Sequence, residues 1–306
     1  MKKLLGYLRL MRPANVVTSI SDVLAGVAIA GYFFNPEAYF SAADYVQVPE
    51  NYFVPVLLLV ISTVGLYSGG IIMNDVFDAE LDEKERPERP IPSGLISKRA
   101  ATIFGGICFF IGLFAAGLYS KQSQYLAAAI MVSCLIYDRF LKHHALFGPL
   151  NMGLCRGLNL LLGVSIINSS ILQWWPLALI PIVYISSITM ISRGEVHGGS
   201  KRMLYFGAIL YGIVIIAILS FAYLQKSLLP TLIFVLPFAF MIFSPLLKAM
   251  QQPIGPNIGK AVKAGVIALI LMNAAWASAF GVWHVAIFIV ILLPISILLG
   301  KAFAVT

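Results

Sequence analysis

The chain has 306 residues, of which 60% are hydrophobic and 11% are charged, and its formal net charge is +8. A soluble globular domain carries about 25% charged residues, so this composition excludes a soluble protein. Apolar runs of roughly 20 residues, long enough to cross a bilayer, recur from one end of the chain to the other. They predict an all-α polytopic membrane protein in which residues 1–306 form a single transmembrane domain.

Ten apolar segments are predicted as membrane spans, and together they predict a helical bundle. In chain order they cover residues 16–34, 54–74, 101–119, 124–141, 149–168, 174–192, 203–224, 229–247, 261–281 and 283–303. Only the short turn Gly281-Val282-Trp283-His284 separates the last two segments. Nine transmembrane helices is therefore the competing count to ten.

The basic residues are distributed unevenly between the two predicted sides of the membrane. With the N-terminus in the cytoplasm, only Lys121 and Lys226 of the 21 Lys and Arg residues fall outside, and Arg156 falls within a span. The first predicted outside loop carries three acidic residues and no basic one, namely Glu37, Asp44 and Glu50. The positive-inside rule thus places the N-terminus on the cytoplasmic side of an inner or plasma membrane. Because topology accounts for the positive charge, no nucleic-acid partner is expected.

Polar residues occupy one face of the first predicted span and one face of the fifth. Asn15 and Asp22 share a face of the first span, and Arg156 and Asn159 share a face of the fifth. An ionisable group within a span is costly and usually marks a binding site or a pairing partner. Either Asp22 pairs with Arg156 as a structural ion pair, or Asp22 and Asn15 face one substrate while Arg156 faces an anionic group.

The second predicted span runs into an acidic segment, Asn74-Asp75-Val76-Phe77-Asp78-Ala79-Glu80-Leu81-Asp82. On a continuing helix, Asp75, Asp78 and Asp82 share one face and lie beside the Asn74 amide. Their mutual repulsion would be removed by a divalent cation. Hard oxygen ligands favour Mg²⁺, which takes one or two carboxylates and leaves positions for water and phosphate oxygens. The alternative is an acidic helix end in a solvated loop.

The segment after these carboxylates, residues 83–94, contains three prolines within six residues and is predicted to be a shaped loop. Arg86 and Arg89 in this loop could hold an anionic group bidentately, or they could pair with Glu85 and Glu88. The loop closes with Ser97-Lys98-Arg99, and a second polar segment closes with Ser200-Lys201-Arg202. Both tripeptides precede a predicted helix, so a duplicated bundle with a site between its halves is expected.

The acidic segment followed by Arg-Pro-x-Arg-Pro-Ile-Pro-Ser-Gly resembles the first signature of the UbiA superfamily of intramembrane prenyltransferases. The opening Arg12-Pro13-x-Asn15 and the Tyr137-x-x-x-x-Lys142 end of the fourth span fit the same resemblance. Within the superfamily, residues 74–94 and 192–200 are most similar to the EboC group. The resemblance covers nearly the whole chain. It implies a UbiA-like helical bundle around a central cavity that opens to the cytoplasm.

The resemblance implies a Mg²⁺-dependent transfer of a prenyl group from a prenyl diphosphate to a small cyclic acceptor, with release of diphosphate. The acceptor would be aromatic or hydroxylated, including a cyclitol-like alcohol. The implied metal ligands are Asn74, Asp75, Asp78, Asp82 and Glu195. The implied substrate-binding residues are Asn15, Asp22, Arg86, Arg89, Lys142, Arg156, Asn159 and Arg193. Tyr67 and Tyr137 are expected to join Asp75 and Asp78 as catalytic residues, because aromatic faces attract a developing allylic cation.

One departure from the superfamily weakens part of this expectation. Most members carry a second aspartate-rich motif after the sixth span, where this chain has only Glu195, followed by His197. Glu195 could hold a second Mg²⁺, or it could pair with Arg193 or Lys201. A transporter, a lipid-binding membrane protein and an intramembrane terpene cyclase are the alternative functions.

Overall fold

The computed structural model describes residues 2–33, 52–195 and 198–303, and these residues form helices and turns without a strand among them. The acidic residues of the first predicted outside loop (Glu37, Asp44 and Glu50) and His197 lie outside the described residues. The α-helices are α1 (Lys2–Met11), α2 (Pro13–Ile29), α3 (Phe53–Phe77), α4 (Ala79–Glu85), α5 (Lys98–Tyr119), α6 (Lys121–Ile136), α7 (Phe147–Val164), α8 (Asn168–Trp174), α9 (Leu179–Ser192), α10 (Lys201–Leu224), α11 (Leu228–Gln251), α12 (Gly255–Ala279) and α13 (Trp283–Ala302).

The helices match the ten predicted spans one for one within the described part of the chain. Eight segments are long and apolar enough to cross a membrane, counting α8 and α9 with the 3₁₀ turn between them as one. The other two are α2, which has 17 residues, and α7, which carries Arg156 and Asn159. The turn before α13 is sharp because Gly281 adopts a left-handed conformation with φ 82°. The chain is an integral membrane protein.

Helices α2 and α7 touch backbone to backbone in the centre of the bundle. A Cβ atom added at Gly26 would lie 2.2 Å from the carbonyl oxygen of Leu160, and one added at Gly163 would lie 2.2 Å from that of Val23. Small residues at such crossings are typical of membrane helices, which associate by close packing. This contact holds the polar faces of α2 and α7 side by side.

The acidic segment does not form one continuing helix, so that prediction is wrong at Asp78. Helix α3 ends at Phe77, Asp78 has ψ 0°, and α4 begins at Ala79. The helical hydrogen-bond pattern persists across this bend, because the Asp78 amide donates to the Asn74 carbonyl at 2.9 Å and the Asp82 amide donates to Asp78 at 2.8 Å. The carboxylates consequently stay on one side of the chain.

Both Ser-Lys-Arg tripeptides begin helices as predicted. Helix α5 starts at Lys98, and the Ser97 hydroxyl accepts a hydrogen bond from the Ala100 amide at 3.2 Å. This is the N-cap contact that serine favours. Helix α10 likewise starts at Lys201, directly after Ser200.

Candidate active site

A cavity of 310 Å³ extends from the polar ends of the helices into the middle of the bundle. Its lining comes from α2, α3, α6, α7, α9 and α12 and from the turn after α6. Arg12, Asn74 and Lys142 lie at the end that we call the mouth, whereas Thr63 and Asn159 lie deeper, at the end that we call the floor. Between them the walls are largely apolar. The site thus combines a charged mouth, apolar walls and a polar floor.

The predicted carboxylates at the mouth are each held by a cation. Arg12 contacts Asp75 at 2.5 Å, and Arg89 contacts Asp75 at 3.3 Å and Asp82 at 2.7 Å. Asp75 and Asp82 are buried, so the alternative of an acidic helix end in a solvated loop does not hold. Arg89 pairs with these aspartates and not with the glutamates of its own loop.

Asp78 pairs with Lys142, which lies across the mouth on the chain after α6. Residues Tyr137–Leu141 form a π-helical turn, in which the Lys142 amide donates to the Tyr137 carbonyl at 2.9 Å. In an α-helix, side chains five residues apart point in different directions, whereas the wider π turn brings them together. This turn explains why Tyr137 and Lys142 both line the cavity despite their five-residue spacing.

Arg12 reaches Asp75 from a strained backbone position between α1 and α2. Its φ of 48° and ψ of 67° lie in the left-handed region, and the next residue is Pro13. A residue other than glycine held in this region costs of order 1–3 kcal/mol. The strain is located at a residue that contacts both the cavity and the acidic segment, which is typical of functional sites.

Sequence reasoning missed Asp138, the second residue of the π turn. Asp138 lines the cavity and accepts a hydrogen bond from the Asn74 amide nitrogen at 2.8 Å. The five-residue separation of Tyr137 and Lys142 is the signal that could have revealed it. That separation suits a π turn, and such turns frequently occur at functional sites.

A buried hydrogen-bond network centred on Arg156 and Asp22 supports the floor of the cavity. Arg156 Nη1 contacts Asp22 Oδ2 at 2.7 Å, and Arg156 Nη2 donates to Thr18 Oγ1 at 2.7 Å. Asn159 and Asn273 donate to the two Asp22 oxygens at 3.0 and 2.8 Å. The structural ion pair is therefore present, and Asp22 is only 1% exposed. The expectation that Asp22 faces a substrate is wrong, because donors from α7 and α12 occupy both of its oxygens.

Other predicted residues of this network do reach the cavity. Asn15, Tyr67, Arg156 and Asn159 all line it. The guanidinium carbon of Arg156 lies 4.6 Å from the Tyr67 ring centroid, and the Tyr67 hydroxyl accepts a hydrogen bond from Arg156 at 2.9 Å. A protein cation thus already lies over one face of the Tyr67 ring.

Besides Asp22 and the ion-paired Asp75, Asp78, Asp82 and Arg89, the predicted residues Arg86, Arg193 and Glu195 lie away from the cavity lining within the described chain. Arg193 donates to the His144 carbonyl at 2.6 Å. Burial raises the pKa of Glu195, and the nearby Arg86 cation partly offsets this rise. No ion pair of the described residues joins Glu195 to Arg193 or Lys201. Glu195 therefore lies near the Arg86 cation and outside the cavity lining.

The mouth offers oxygen donors suited to Mg²⁺ without a preformed metal cage. Within the described part of the chain, no three His, Cys, Asp or Glu side chains are grouped so that they could hold a metal. Mg²⁺ needs only one or two carboxylates when substrate phosphates and water complete its shell. Asn74, Asp75 and Asp78 supply such donors within about one helical turn. These residues fit a Mg²⁺ ion that is shared with a phosphate-bearing substrate.

Solved structures of UbiA homologs share this fold. The apo structure of a UbiA homolog from Aeropyrum pernix K1 superposes with a TM-score of 0.66 at 14% identity, covering 85% of this chain and 96% of that one. The structure of a UbiA homolog from Archaeoglobus fulgidus bound to DMAPP and Mg²⁺ gives a TM-score of 0.61 at 17% identity, covering 91% and 99%. These likenesses establish a shared fold.

Several relatives of the chain are digeranylgeranylglyceryl phosphate synthases. The chain is 33% identical over 156 residues to the enzyme of Methanothrix thermoacetophila, covering 51% of this chain and 52% of the relative. It is 32% identical over 160 residues to that of Methanopyrus kandleri, covering 52% of each. The chain thus spans about half the length of these curated relatives.

A model of the UbiA prenyltransferase family matches residues 23–252, which is more than half of the chain and includes all of α3 to α11. The matched region contains the acidic segment, the π turn, Arg156 and Asn159, whereas Asp22 and Asn273 lie outside it. The chain therefore belongs to the UbiA prenyltransferase family.

Proposed function

We propose that this protein transfers a prenyl group from a prenyl diphosphate to a small hydroxylated or aromatic acceptor in a Mg²⁺-dependent reaction. The observation that carries the proposal is the cavity with a charged mouth, apolar walls and a polar floor. The mouth suits a diphosphate, the walls suit a hydrocarbon tail and the floor suits a polar acceptor. Membership of the UbiA prenyltransferase family supports the same reaction class.

The residues of the mouth would bind and orient the diphosphate. Asn74, Asp75 and Asp78 would hold Mg²⁺, with Asp82 assisting. When bound, Mg²⁺ neutralises charge on the leaving diphosphate as a Lewis acid. Arg12 and Lys142 now contact carboxylates and would instead contact phosphate oxygens once the metal takes those carboxylates.

The bond changes in this reaction balance without a further reactant. The C1–O bond of the prenyl diphosphate breaks, and its electron pair leaves with the diphosphate. The acceptor forms a new bond to C1 and loses one proton to solvent. Apolar walls exclude water that would otherwise capture the allylic cation. Tyr137, which lines the cavity, is placed to face that cation, and Tyr67 would do so on the ring face opposite Arg156.

The floor of the cavity favours an acceptor without a net charge. Arg156 is offset by Asp22, so the floor presents little uncompensated charge. Thr63 and Asn159 supply hydroxyl and amide groups there, and they also hydrogen-bond to each other at 2.7 Å. A hydroxylated cyclic acceptor suits this surface. The relatives' name instead indicates a glyceryl phosphate product, so that acceptor class is the competing substrate.

Diphosphate release by the purified protein tests the proposed reaction. The protein would receive labelled dimethylallyl, geranyl and geranylgeranyl diphosphates, with Mg²⁺ or EDTA, and either cyclic polyols or a prenylated glyceryl phosphate as acceptor. We expect Mg²⁺-dependent diphosphate release and a prenylated product identified by mass spectrometry. Asp75→Asn and Asp78→Asn should each lower the rate by at least about 100-fold, since each removes charge from the metal site.

Glu80→Asn is the matched control for these variants. Glu80 belongs to the same acidic segment but is exposed, so its loss should leave the rate within about twofold. Absence of Mg²⁺-dependent diphosphate release, or release that both aspartate substitutions leave unchanged, would contradict the proposed enzyme. Binding of prenyl diphosphate without any release would favour a transporter or lipid-binding protein. Release of diphosphate with a cyclised hydrocarbon and no adduct would favour a terpene cyclase.

A further inference from the structure

Asp138 differs from the other carboxylates of the mouth in its exposure to the cavity. Among the cavity-lining residues of the described chain, it is the only Asp or Glu. Asp75, Asp78 and Asp82 are not part of the lining, and each is paired with a basic residue. No ion pair of the described residues includes Asp138. Asp138 is thus the carboxylate most directly available to a ligand inside the cavity.

The contact between Asp138 and Asn74 places two oxygen-bearing side chains from different helices at one point of the mouth. Asn74 Nδ2 donates to Asp138 Oδ1 at 2.8 Å. Both side chains line the cavity, beside Lys142. The π turn holds Asp138 in this position, because it widens the helix directly after α6. A carboxylate from this second segment, beside Asn74 of α3, would let two different parts of the chain bind one metal ion.

The balance of charges around the mouth favours a metal ligand at Asp138. The segment between α9 and α10 contains one acidic residue, Glu195. Glu195 lies near Arg86 and away from the cavity lining. The carboxylates of α3 and α4 already share their charge with Arg12, Arg89 and Lys142. A dication shared with a diphosphate therefore gains most from a carboxylate that no protein cation holds.

We propose that Asp138 is a direct ligand of the Mg²⁺ ion that Asn74 and the α3 carboxylates bind. This inference rests on the proposed prenyl transfer. It assigns part of the metal site to the π turn after α6, a segment separate from the one that carries Glu195. Hydrogen bonding to Asn74 holds the Asp138 carboxylate in place, as second contacts commonly do for metal ligands.

Metal binding measured without turnover tests the assignment. Mn²⁺ replaces Mg²⁺ at oxygen sites, and electron paramagnetic resonance counts bound Mn²⁺ in the presence of an unreactive geranyl thiodiphosphate. Asp138→Asn should weaken Mn²⁺ binding by about 10-fold or more, whereas Asp138→Glu should recover most of it. Glu80→Asn, which removes an exposed charge, should bind Mn²⁺ like the unaltered protein. Unchanged Mn²⁺ affinity in Asp138→Asn overturns the proposal.

A cysteine in place of Asp138 distinguishes two roles of this residue. Asp138 either binds the metal directly or only orients Asn74. Asp138→Cys should bind Cd²⁺ more tightly than Mn²⁺ and should show a thiolate-to-cadmium absorption band, because soft ligands select soft metals. Asp138→Ser and the unaltered protein retain the native Cys134 and Cys155 and supply the baseline. A band no stronger than this baseline means that Asp138 acts only through Asn74, and the ligand assignment fails.

Failure of the inference and failure of the proposed function give different results. If the unaltered protein releases diphosphate with Mg²⁺ while Asp138→Asn binds Mn²⁺ normally, only the assignment of Asp138 is wrong. If the unaltered protein releases no diphosphate under any condition, the proposed function itself is wrong.

Discussion

Arg156 and Asp22 show at the residue scale how a charge is kept inside this bundle. Arg156 is 4% exposed and Asp22 is 1% exposed, and a charge buried in a span without a partner is costly. Amide donors from Asn159 and Asn273 complete the shell of Asp22. Arg156 also reaches the cavity, so one guanidinium both supports the helices and forms part of the floor.

Replacing one member of the Arg156–Asp22 pair should lower the free energy of unfolding more than replacing both. Arg156→Met leaves the Asp22 charge buried without its partner, which typically costs about 3–5 kcal/mol of folding free energy. Asp22→Asn combined with Arg156→Met should recover at least half of that loss. Denaturant or thermal unfolding in detergent measures both effects. A double variant as unstable as Arg156→Met would show that the loss of stability does not come from the unpaired Asp22 charge.

The close contact between helices α2 and α7 makes the buried ion pair possible. Gly26 and Gly163 allow the two backbones to approach so closely that the network around Asp22 can form between them. The lack of side chains at this crossing matters more than conformational freedom, because both glycines lie within regular helices.

Adding a single methyl group at this crossing should destabilise the bundle. The Cβ atom of Gly163→Ala would lie 2.2 Å from the Val23 carbonyl oxygen, so the helices must separate. We expect a loss of about 1–3 kcal/mol, as for overpacked cores, measured by unfolding in detergent. Gly212→Ala in α10 is the control, because nothing lies within 4 Å of its added Cβ and it should be neutral or slightly stabilising. Equal stability of the two variants would contradict the close contact.

Hydropathy predicted the elements well because membrane spans are decided by local composition. Each of the ten segments has its helix within the described chain, including α13 after the short Gly281 turn. The bend at Asp78 was not predicted, since the helical hydrogen bonds continue across it and the sequence contains no proline or glycine there. The π turn after α6 was also not predicted, because a π-helical hydrogen-bond pattern does not require a particular residue composition.

The sequence predicted residues that line the cavity more reliably than it predicted the contacts between them. Asn74, Lys142, Arg156 and Asn159 line the cavity as expected. The pairing of Asp78 with Lys142 joins residues far apart in sequence, and no local pattern specifies such a contact. Metal binding at the α3 carboxylates and at Glu195 stays a prediction.

At the scale of the whole molecule, the charged mouth of the cavity lies at one end of the bundle. The residues that form it belong to the same side as most Lys and Arg residues in the predicted topology. The positive-inside rule predicts that this side faces the cytoplasm. The substrates would then be drawn from the cytoplasm and the inner leaflet.

Labelling from each side of the membrane tests that orientation. Helix α10 runs from Lys201 to Leu224, so Lys201→Cys and Gln225→Cys place exposed thiols at its two ends. With the native cysteines replaced by serine, a membrane-impermeant maleimide should label position 225 in intact cells and position 201 only in inverted vesicles. Detergent-solubilised protein, labelled at both positions, controls for reactivity. The reverse pattern would invert the predicted topology.

The three acidic residues held by Arg12, Arg89 and Lys142 also couple the two ligands thermodynamically. A magnesium ion arriving alone must separate carboxylates from their cations, and it leaves those cations without counter-charges. A diphosphate that binds alone takes the cations and leaves the carboxylates without counter-charges. When the magnesium ion and the diphosphate bind together, every carboxylate and every cation of the mouth has an opposite charge beside it. Each ligand should therefore raise the affinity for the other by the same factor. Loading of this enzyme is therefore expected to be cooperative, with an apparent requirement for magnesium that falls as prenyl diphosphate accumulates.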